Sequence, residues 1–519
     1  MRIKIIHTLL LLSFCLCSVS LAQNFPLVYD VENTGENCLQ PQFPSLTQLP
    51  VNKSLPDPFM WADSALGRIK YYSDWQARRA EIGYQIQHYE IGVKPPRPDT
   101  ISASYSQDTL VVNVTVNGST LTMRSHITLP SGTGPFPAVI GIMTPTGSIP
   151  DSIFSNRHIA EITYNINQVT TYYNFQYTDP YFRLYPNLNT TNIGQYSAWA
   201  WGVSRIIDGL ELVQDSLPID LKHIAVTGCS YAGKLALFAG AFDERIALTI
   251  AQESGGGGAT SWRYSHATAG TGVEEIDNTN YDWFADSLKQ FAGDEVYRLP
   301  YDHHELMAMV APRALYVTAN PDYTWLSNPS SHVASIAAQR VYEGLQIPDR
   351  FGYSIVGGHS HCQLPDVQVP DIQAFVEKFL LGDSTQYTYL GTSPYNIDLT
   401  PWIVLKNPKL ADTTTTSIGD RPGSVISGFR LEQNCPNPFN PTTTIRYGLS
   451  KKSYVQLFIY DVLGRQVAKL VDGIQHPSEQ SVSWDASGFS SGVYFCRIIA
   501  RSLDGSTDFN AVKKLLYMK

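Results

Sequence analysis

Residues 223–233 read His-Ile-Ala-Val-Thr-Gly-Cys-Ser-Tyr-Ala-Gly, and the helical pattern KLALFAGAF follows them. The apolar β-branched run breaks into a small-residue turn around Ser230, with Gly228 and Gly233 at its two ends. A strand that turns this sharply into a helix displays a serine hydroxyl beyond the sheet edge and points the next backbone N–H at a developing oxyanion. The spacing G-x-S-x-x-G is one residue longer than the usual elbow, so an ordinary strand–helix connection stays open as the alternative.

Three later apolar runs end in residues that a serine hydrolase needs. The first ends at Glu253, the second at Asp322, and the third at His359 and His361. The acid and the base thus follow the serine, which is the chain order of α/β-hydrolases and not that of the other serine-protease folds. The order predicts Ser230 as a nucleophile, with either Glu253 or Asp322 as its acid.

Composition indicates an exported globular protein. The 519 residues are 43% hydrophobic, which is ample for two or three packed domains. A net charge of -9 without a basic cluster argues against nucleic acid as a partner. Residues 1–22 have Arg2 and Lys4 before an apolar run and a small-residue cleavage site, which predicts a secretory signal peptide. No later stretch has the length of a transmembrane segment, so we expect a secreted or cell-surface protein.

Two of the seven cysteines flank the predicted catalytic residues. Cys229 precedes Ser230, and Cys362 follows His361. If the serine and the histidine are hydrogen-bonded partners, a disulfide between their neighbours is geometrically plausible, with two buried thiols as the alternative. The chain has no C-x-x-C pair and little histidine at ligand spacing, so we expect neither a metal nor another cofactor.

The order of elements predicts an α/β domain over residues 23–405. A hairpin with Asn117-Gly118 at its turn precedes alternating strands and helices, as a mostly parallel sheet with helices on both faces requires. Residues 406–425 form a Thr/Pro/Gly linker, and residues 426–519 hold the short alternating runs of a small all-β sandwich. Cys435 and Cys496 could form a disulfide within this region, although nothing in the sequence demands one.

The chain resembles the glucuronoyl esterases, carbohydrate esterases of family 15, over nearly all of residues 50–385. The motifs that carry the resemblance are LPDPF (55–59), IGVKPPRPD (91–99), YSAWAWGVSRIIDGLE (196–211), GCSYAGK (228–234), QESGGGG (252–258), LPYDHHEL (299–306), NPDYTWL (320–326) and GHSHC (358–362). The resemblance implies an α/β-hydrolase three-layer sandwich without a metal. It also implies cleavage of the ester between (4-O-methyl-)glucuronic acid side groups of xylan and lignin alcohols.

Residue by residue, the resemblance implies a Ser230, Glu253 and His361 triad beside a Cys229–Cys362 disulfide. It also implies three ligands for the uronate sugar, carried on the side chains of Lys234, Trp325 and one of Glu274 or Glu275.

Tyr231 departs from the family pattern. The family has arginine directly after the nucleophile, with its guanidinium directed at the oxyanion, whereas a phenol supplies a hydrogen bond without a positive charge. A slower esterase, another secreted esterase acting on acetyl or feruloyl groups, and a non-catalytic glycan-binding relative therefore stay open.

The C-terminal region resembles the sorting domain of the type IX secretion system. The motifs are LEQNCPNPFNPTTTIRYGLS (431–450), YDVLGRQVAKL (460–470), GVYFCRI (492–498) and KKLLYMK (513–519). The resemblance implies the secretion machinery as a partner, passage through the periplasm and outer membrane, and removal of the domain after export. The alternative is a carbohydrate-binding β-sandwich.

Overall fold

The strand that ends at the Ser230 turn lies inside a ten-stranded sheet. The computed structural model describes residues 25–268, 272–404, 410 and 428–518, so the predicted signal peptide and nearly all of the predicted linker lie outside it. The strands of this sheet are β1 (Thr100–Ser106), β2 (Thr109–Val116), β3 (Ser119–Thr128), β4 (Phe136–Ile142), β5 (Ala160–Tyr164), β6 (Ile219–Cys229), β7 (Leu248–Gln252), β8 (Ala314–Ala319), β9 (Phe351–Ile355) and β10 (Leu390–Thr392).

The sheet is antiparallel at one edge and parallel elsewhere. Its spatial order is β1-β2-β3-β5-β4-β6-β7-β8-β9-β10, and every pair from β5 onward is parallel. The predicted hairpin joins β2 to β3, with Val116 opposite Ser119 and left-handed backbone at Asn117 and Gly118. Strands β7, β8 and β9 are buried along their whole length, because helices cover both of their faces.

Helices complete a three-layer sandwich. They are α1 (Asp74–Ile86), α2 (Ser152–Ser155), α3 (Pro180–Leu184), α4 (Gln195–Leu212), α5 (Tyr231–Phe242), α6 (Trp262–Ala267), α7 (His303–Ala308), α8 (Asn328–Gly344) and α9 (Val369–Leu381). The apolar faces of α2 and α9 pack on one side of the sheet. Those of α1, α4, α5, α7 and α8 belong to the larger core on the other side. The predicted α/β-hydrolase architecture is confirmed.

The C-terminal region is a separate all-antiparallel sandwich, as predicted. Its strands are β11 (Arg430–Leu431), β12 (Thr442–Leu449), β13 (Ser453–Asp461), β14 (Gln466–Gln475), β15 (Ser478–Asp485), β16 (Gly492–Ser502) and β17 (Asp508–Tyr517). They form the sheets β11-β12-β15 and β14-β13-β16-β17 around a core of their own. The proposed domain limits, 23–405 and 426–519, stay predictions.

The pairing of Cys435 with Cys496 is wrong. Cys496 lies on β16 with its side chain in the sandwich core, where it is a buried free thiol. Cys435 precedes β12 at the side facing the α/β domain and forms a disulfide with Cys38 instead. The two cysteines of the sandwich therefore belong to different surroundings.

Candidate active site

The Ser230 turn has the strained geometry of a nucleophile elbow. Ser230 has φ 59° and ψ -125°, a conformation that costs an L-residue about 1–3 kcal/mol and that the surrounding structure must hold in place. Its backbone N–H donates to the Gln252 carbonyl at 3.0 Å. A Cβ on Gly233 would lie 2.3 Å from the same carbonyl, and one on Gly228 would lie 2.4 Å from the Ala232 carbonyl. The second glycine thus stands where α5 passes β7, which explains the longer spacing.

His361 is hydrogen-bonded to Glu253. Its Nδ1 lies 2.6 Å from Glu253 Oε2, which also accepts the backbone N–H of Cys362 at 3.2 Å. Glu253 is buried directly after β7, whereas the His361 side chain is partly open to solvent. A carboxylate on Nδ1 leaves Nε2 as the nitrogen that exchanges a proton with a serine.

The alternatives for acid and base have other partners. Asp322 is exposed and accepts the Gly358 backbone N–H at 2.6 Å. His359 Nε2 lies 2.9 Å from the Val356 carbonyl, and its Nδ1 is 3.7 Å from Glu253 Oε1. Of the residues that the sequence left open, the structure therefore brings together Glu253 and His361.

A disulfide fastens the turn to the histidine loop. Cys229 and Cys362 are bonded, with Cα atoms 5.7 Å apart. Because these are the neighbours of Ser230 and His361, the bridge restricts how far the nucleophile strand and the histidine loop can separate.

A charged pair lies one helical turn beyond the serine. Lys234 is 2% exposed, and its Nζ donates to Glu274 Oε2 at 3.0 Å and lies 4.8 Å from the Trp283 ring centroid. The Glu274 backbone N–H donates to the Trp325 carbonyl at 2.8 Å. The Trp325 ring is 48% exposed and 6.0 Å from the His361 ring. An ammonium and a carboxylate are thus paired one helical turn beyond the serine, and an exposed aromatic ring lies beside the histidine.

Glu275 points away from this group. Its Oε2 lies 3.0 Å from His266 Nδ1, and His266 Nε2 lies 3.0 Å from Asp294 Oδ1. The structure therefore distinguishes the two candidates, with Glu274 beside Lys234 and Glu275 in a neighbouring ion-pair cluster.

Tyr231 stacks on Tyr172. The ring centroids are 4.0 Å apart at 21°, and Tyr173 lies 3.9 Å from Tyr172. Burial and, secondly, the charge of Tyr173 raise the pKa of Tyr231, so that its hydroxyl stays a neutral donor. The 144–147 loop lies against the turn, since a Cβ on Gly147 would be 3.1 Å from Gly228 Cα.

Sequence reasoning missed three residues of this neighbourhood. Tyr172 holds the Tyr231 ring, Trp283 lies against the Lys234 ammonium, and the Thr279 hydroxyl donates to Glu274 Oε1 at 3.2 Å. All three lie in irregular segments without a motif, so only the fold brings them to the site.

Within the described residues, two groups of side chains place three possible metal-ligand atoms close together. One is Cys229, His361 and Cys362, whose sulfurs are committed to the disulfide. The other is His266, Glu275 and Asp277, in which both imidazole nitrogens already face carboxylates. Neither arrangement presents a free ligand set.

Known proteins share the sequence pattern and the fold of this chain. A family model described as glucuronyl esterase, fungi, matches residues 112–346. The 4-O-methyl-glucuronoyl methylesterase of Schizophyllum commune is 39% identical over 354 residues, which cover 66% of this chain and 86% of the relative. The chain belongs to the glucuronoyl esterase family. As a member it is a carboxylic ester hydrolase.

Solved structures of the glucuronoyl esterase family share this fold. The catalytic domain of the Hypocrea jecorina glucuronoyl esterase has a TM-score of 0.66 at 36% identity, covering 72% of this chain and 100% of that one. A serine-to-alanine mutant of the Sporotrichum thermophile glucuronoyl esterase has a TM-score of 0.66 at 35% identity with the same coverage. That mutant was solved with methyl 4-O-methyl-β-D-glucopyranuronate.

The region beyond the esterase fold has its own match. A model described as the secretion system C-terminal sorting domain matches residues 435–509. Among the described helices, none combines the length and the apolar character needed to cross a membrane.

Proposed function

We propose that this chain hydrolyses the ester between (4-O-methyl-)glucuronic acid side groups of xylan and lignin alcohols. The observation that carries the proposal is the Lys234–Glu274 pair, which lies one helical turn from a serine whose histidine is already bonded to a carboxylate. One site thus holds both the residues that can cleave an ester and the hydrogen-bond donors and acceptors that can bind sugar hydroxyls. The two esterases solved from fungi and the relative from Schizophyllum commune support the substrate class.

Acylation uses the triad. His361 Nε2 takes the proton of the Ser230 hydroxyl as its oxygen attacks the uronoyl carbonyl, and then gives that proton to the departing alcohol. Glu253 holds the imidazole in the tautomer with Nδ1 protonated and stabilises the imidazolium that forms. The buried position of Glu253 and its second bond, from the Cys362 N–H, keep the carboxylate aimed at Nδ1.

Deacylation repeats these proton transfers with water. Water loses a proton to His361 as it attacks the uronoyl ester of Ser230, and the serine takes this proton when the acid leaves. The backbone N–H of Tyr231 meets the oxyanion in both halves, and its neutral phenol is a second donor. The missing guanidinium predicts a slower enzyme than relatives with arginine.

The sugar is held beside the reacting carbonyl. Lys234 donates to hydroxyls of the uronate, Glu274 accepts from them, and the exposed Trp325 ring covers the pyranose face. The charged pair is preformed, so binding does not have to order two long side chains.

The test is a substrate panel on the full mature chain. We expect kcat/KM for methyl and benzyl glucuronate esters to exceed that for acetyl and feruloyl sugar esters. Turnover of acetyl or feruloyl esters alone would move the chain to a different secreted esterase, and glycan binding without turnover of any ester would make it a binding protein.

For the C-terminal sandwich, we propose export through the periplasm and outer membrane by the type IX machinery. The match to a sorting domain supports this proposal. In a host with that machinery, deletion of residues 426–519, combined with Cys38→Ser to avoid a new free thiol, should retain active esterase in the periplasm. Secretion of the truncated chain at the level of the Cys38→Ser parent would contradict it.

A further inference from the structure

We propose that the Cys38–Cys435 disulfide tethers the C-terminal sandwich to the esterase domain, so that a cut in the linker leaves both pieces in one covalent particle. The bond joins residues 397 positions apart, with Cys38 before the linker, 406–425, in the sequence and Cys435 after it. The two regions are thus connected twice, once through the polypeptide and once through sulfur.

The esterase side of this anchor is built into the core. The Tyr84 hydroxyl lies 3.1 Å from the Gly35 carbonyl and 3.3 Å from the Cys38 carbonyl, which fixes the turn that carries Cys38. Just before this turn, the Thr34 N–H donates to the Glu244 carboxylate at 2.8 Å, and Glu244 pairs with Arg79 at 2.8 Å. All of these side chains except Tyr84 are buried, so Cys38 is held at a defined position.

The sandwich side is equally fixed. Cys435 and Thr444 exchange backbone hydrogen bonds of 2.9 Å in each direction, which places Cys435 on the edge of β12. Two residues later, the Asn437 N–H donates to the Thr34 carbonyl at 3.2 Å, and its side-chain oxygen accepts the Leu516 N–H at 2.8 Å. A hydrogen bond between the two domains therefore lies beside the disulfide.

The apolar cluster around the bond is small. The buried apolar cluster there contains only Cys38, Ala77, Ala80 and Cys435, with Trp61 and Tyr84 at its margin, whereas each domain has its own large core. Next to the contact, a cleft of 1170 Å³ separates residues 39–66 from Arg430 and Glu432. Under denaturing conditions, which remove noncovalent contacts, the sulfur bond alone holds the two pieces together once the linker is cut.

The sandwich is attached to the esterase domain, and released from it, by a dithiol–disulfide redox reaction. Formation removes one proton from each thiol and two electrons in all, which pass to a disulfide-bearing oxidant of the export compartment. Release requires the reverse step, in which an external dithiol supplies two electrons and two protons and is itself oxidised to a disulfide. Cutting the linker alone thus does not free the esterase.

The experiment inserts a site-specific protease sequence between Thr415 and Thr416 of the full chain. After complete cutting and alkylation of free thiols, a denaturing gel without reductant should show one species of the uncut mass. With reductant, it should show two fragments. Cys435→Ser should give two fragments without reductant. Cys38→Ser removes the other half of the bond, should give the same result, and serves as the test if Cys435→Ser folds poorly.

The matched control is Cys496→Ser, which removes the buried thiol of the same sandwich and should behave like the parent. Peptide mass spectrometry of the uncut parent should find Cys38 linked to Cys435. Separation of the parent into two fragments without reductant would overturn the proposal, and so would a link from Cys38 to Cys496.

Discussion

At the scale of single residues, the hydrogen bond to His361 favours Glu253 as the acid over Asp322. Glu253→Gln removes the charge that orients and stabilises the His361 imidazolium, so we expect kcat to fall on the order of 10⁴-fold. Asp322→Asn keeps an oxygen that accepts the Gly358 N–H and should change kcat by less than about 3-fold. Steady-state kinetics on methyl glucuronate ester measure both, and a large loss only in Asp322→Asn would reverse the assignment.

Tyr231, directly after the nucleophile, is the second residue whose substitution should change the rate. Tyr231→Arg returns a positive charge beside the oxyanion, and the Tyr172 ring can stack on a guanidinium as it does on the phenol. We expect kcat to rise about 10-fold or more, while Tyr231→Phe, which keeps the stack but loses the donor, should lower kcat. Equal kcat values for all three proteins would show that this side chain does not reach the transition state.

At the scale of elements, helix α5 and the 272–279 loop together carry the proposed sugar site. Glu274→Gln removes the charge that faces Lys234 and the sugar, so we expect KM to rise about 10-fold, equivalent to about 1.4 kcal/mol. Glu275→Gln loses only its bond to His266 and is the matched control, with a smaller change in KM. Equal changes in KM would place the sugar elsewhere.

The same loop is fastened by an ion pair that depends on pH. Burial alone would lower the pKa of His266, but hydrogen bonds with Asp294 and Glu275 raise it above the ordinary 6.5. A raised pKa in the folded state stabilises the fold below the unfolded value, and this contribution is lost as the pH rises through the folded value.

His266→Gln should therefore lower Tm at about pH 5.5 and have little effect at about pH 9. Thermal unfolding of the parent and the variant across this range measures the difference. A Tm difference that grows as the pH rises would contradict the assignment of charge to His266.

At the scale of the whole molecule, the sequence predicts those elements and site residues that have strong local patterns. The strand–turn–helix around Ser230, the Asn117-Gly118 hairpin and the order of acid and base follow from short stretches, and the structure has the elements where those stretches lie. The choice between Glu253 and Asp322 rested on resemblance, because both follow a buried strand and only the loop geometry separates them.

Pairings between residues far apart in the chain were harder to predict from the sequence. Cys38 lies in an irregular segment without periodicity, so nothing near it indicates that Cys435 is its partner. The sequence left a bond from Cys435 to Cys496 open, but Cys496 faces the sandwich interior because strand alternation places it there. Tyr172 and Trp283 were also missed, because tertiary packing brings them to the site and no local pattern encodes that packing.

The role of Ser230 is decided by comparing turnover of methyl glucuronate ester by the full mature chain and by Ser230→Ala, with ester binding followed by calorimetry. We predict turnover by the parent, a loss of at least about 10³-fold in kcat in the variant, and binding that the variant retains. Turnover that survives Ser230→Ala, or binding without turnover in the parent, would contradict the account.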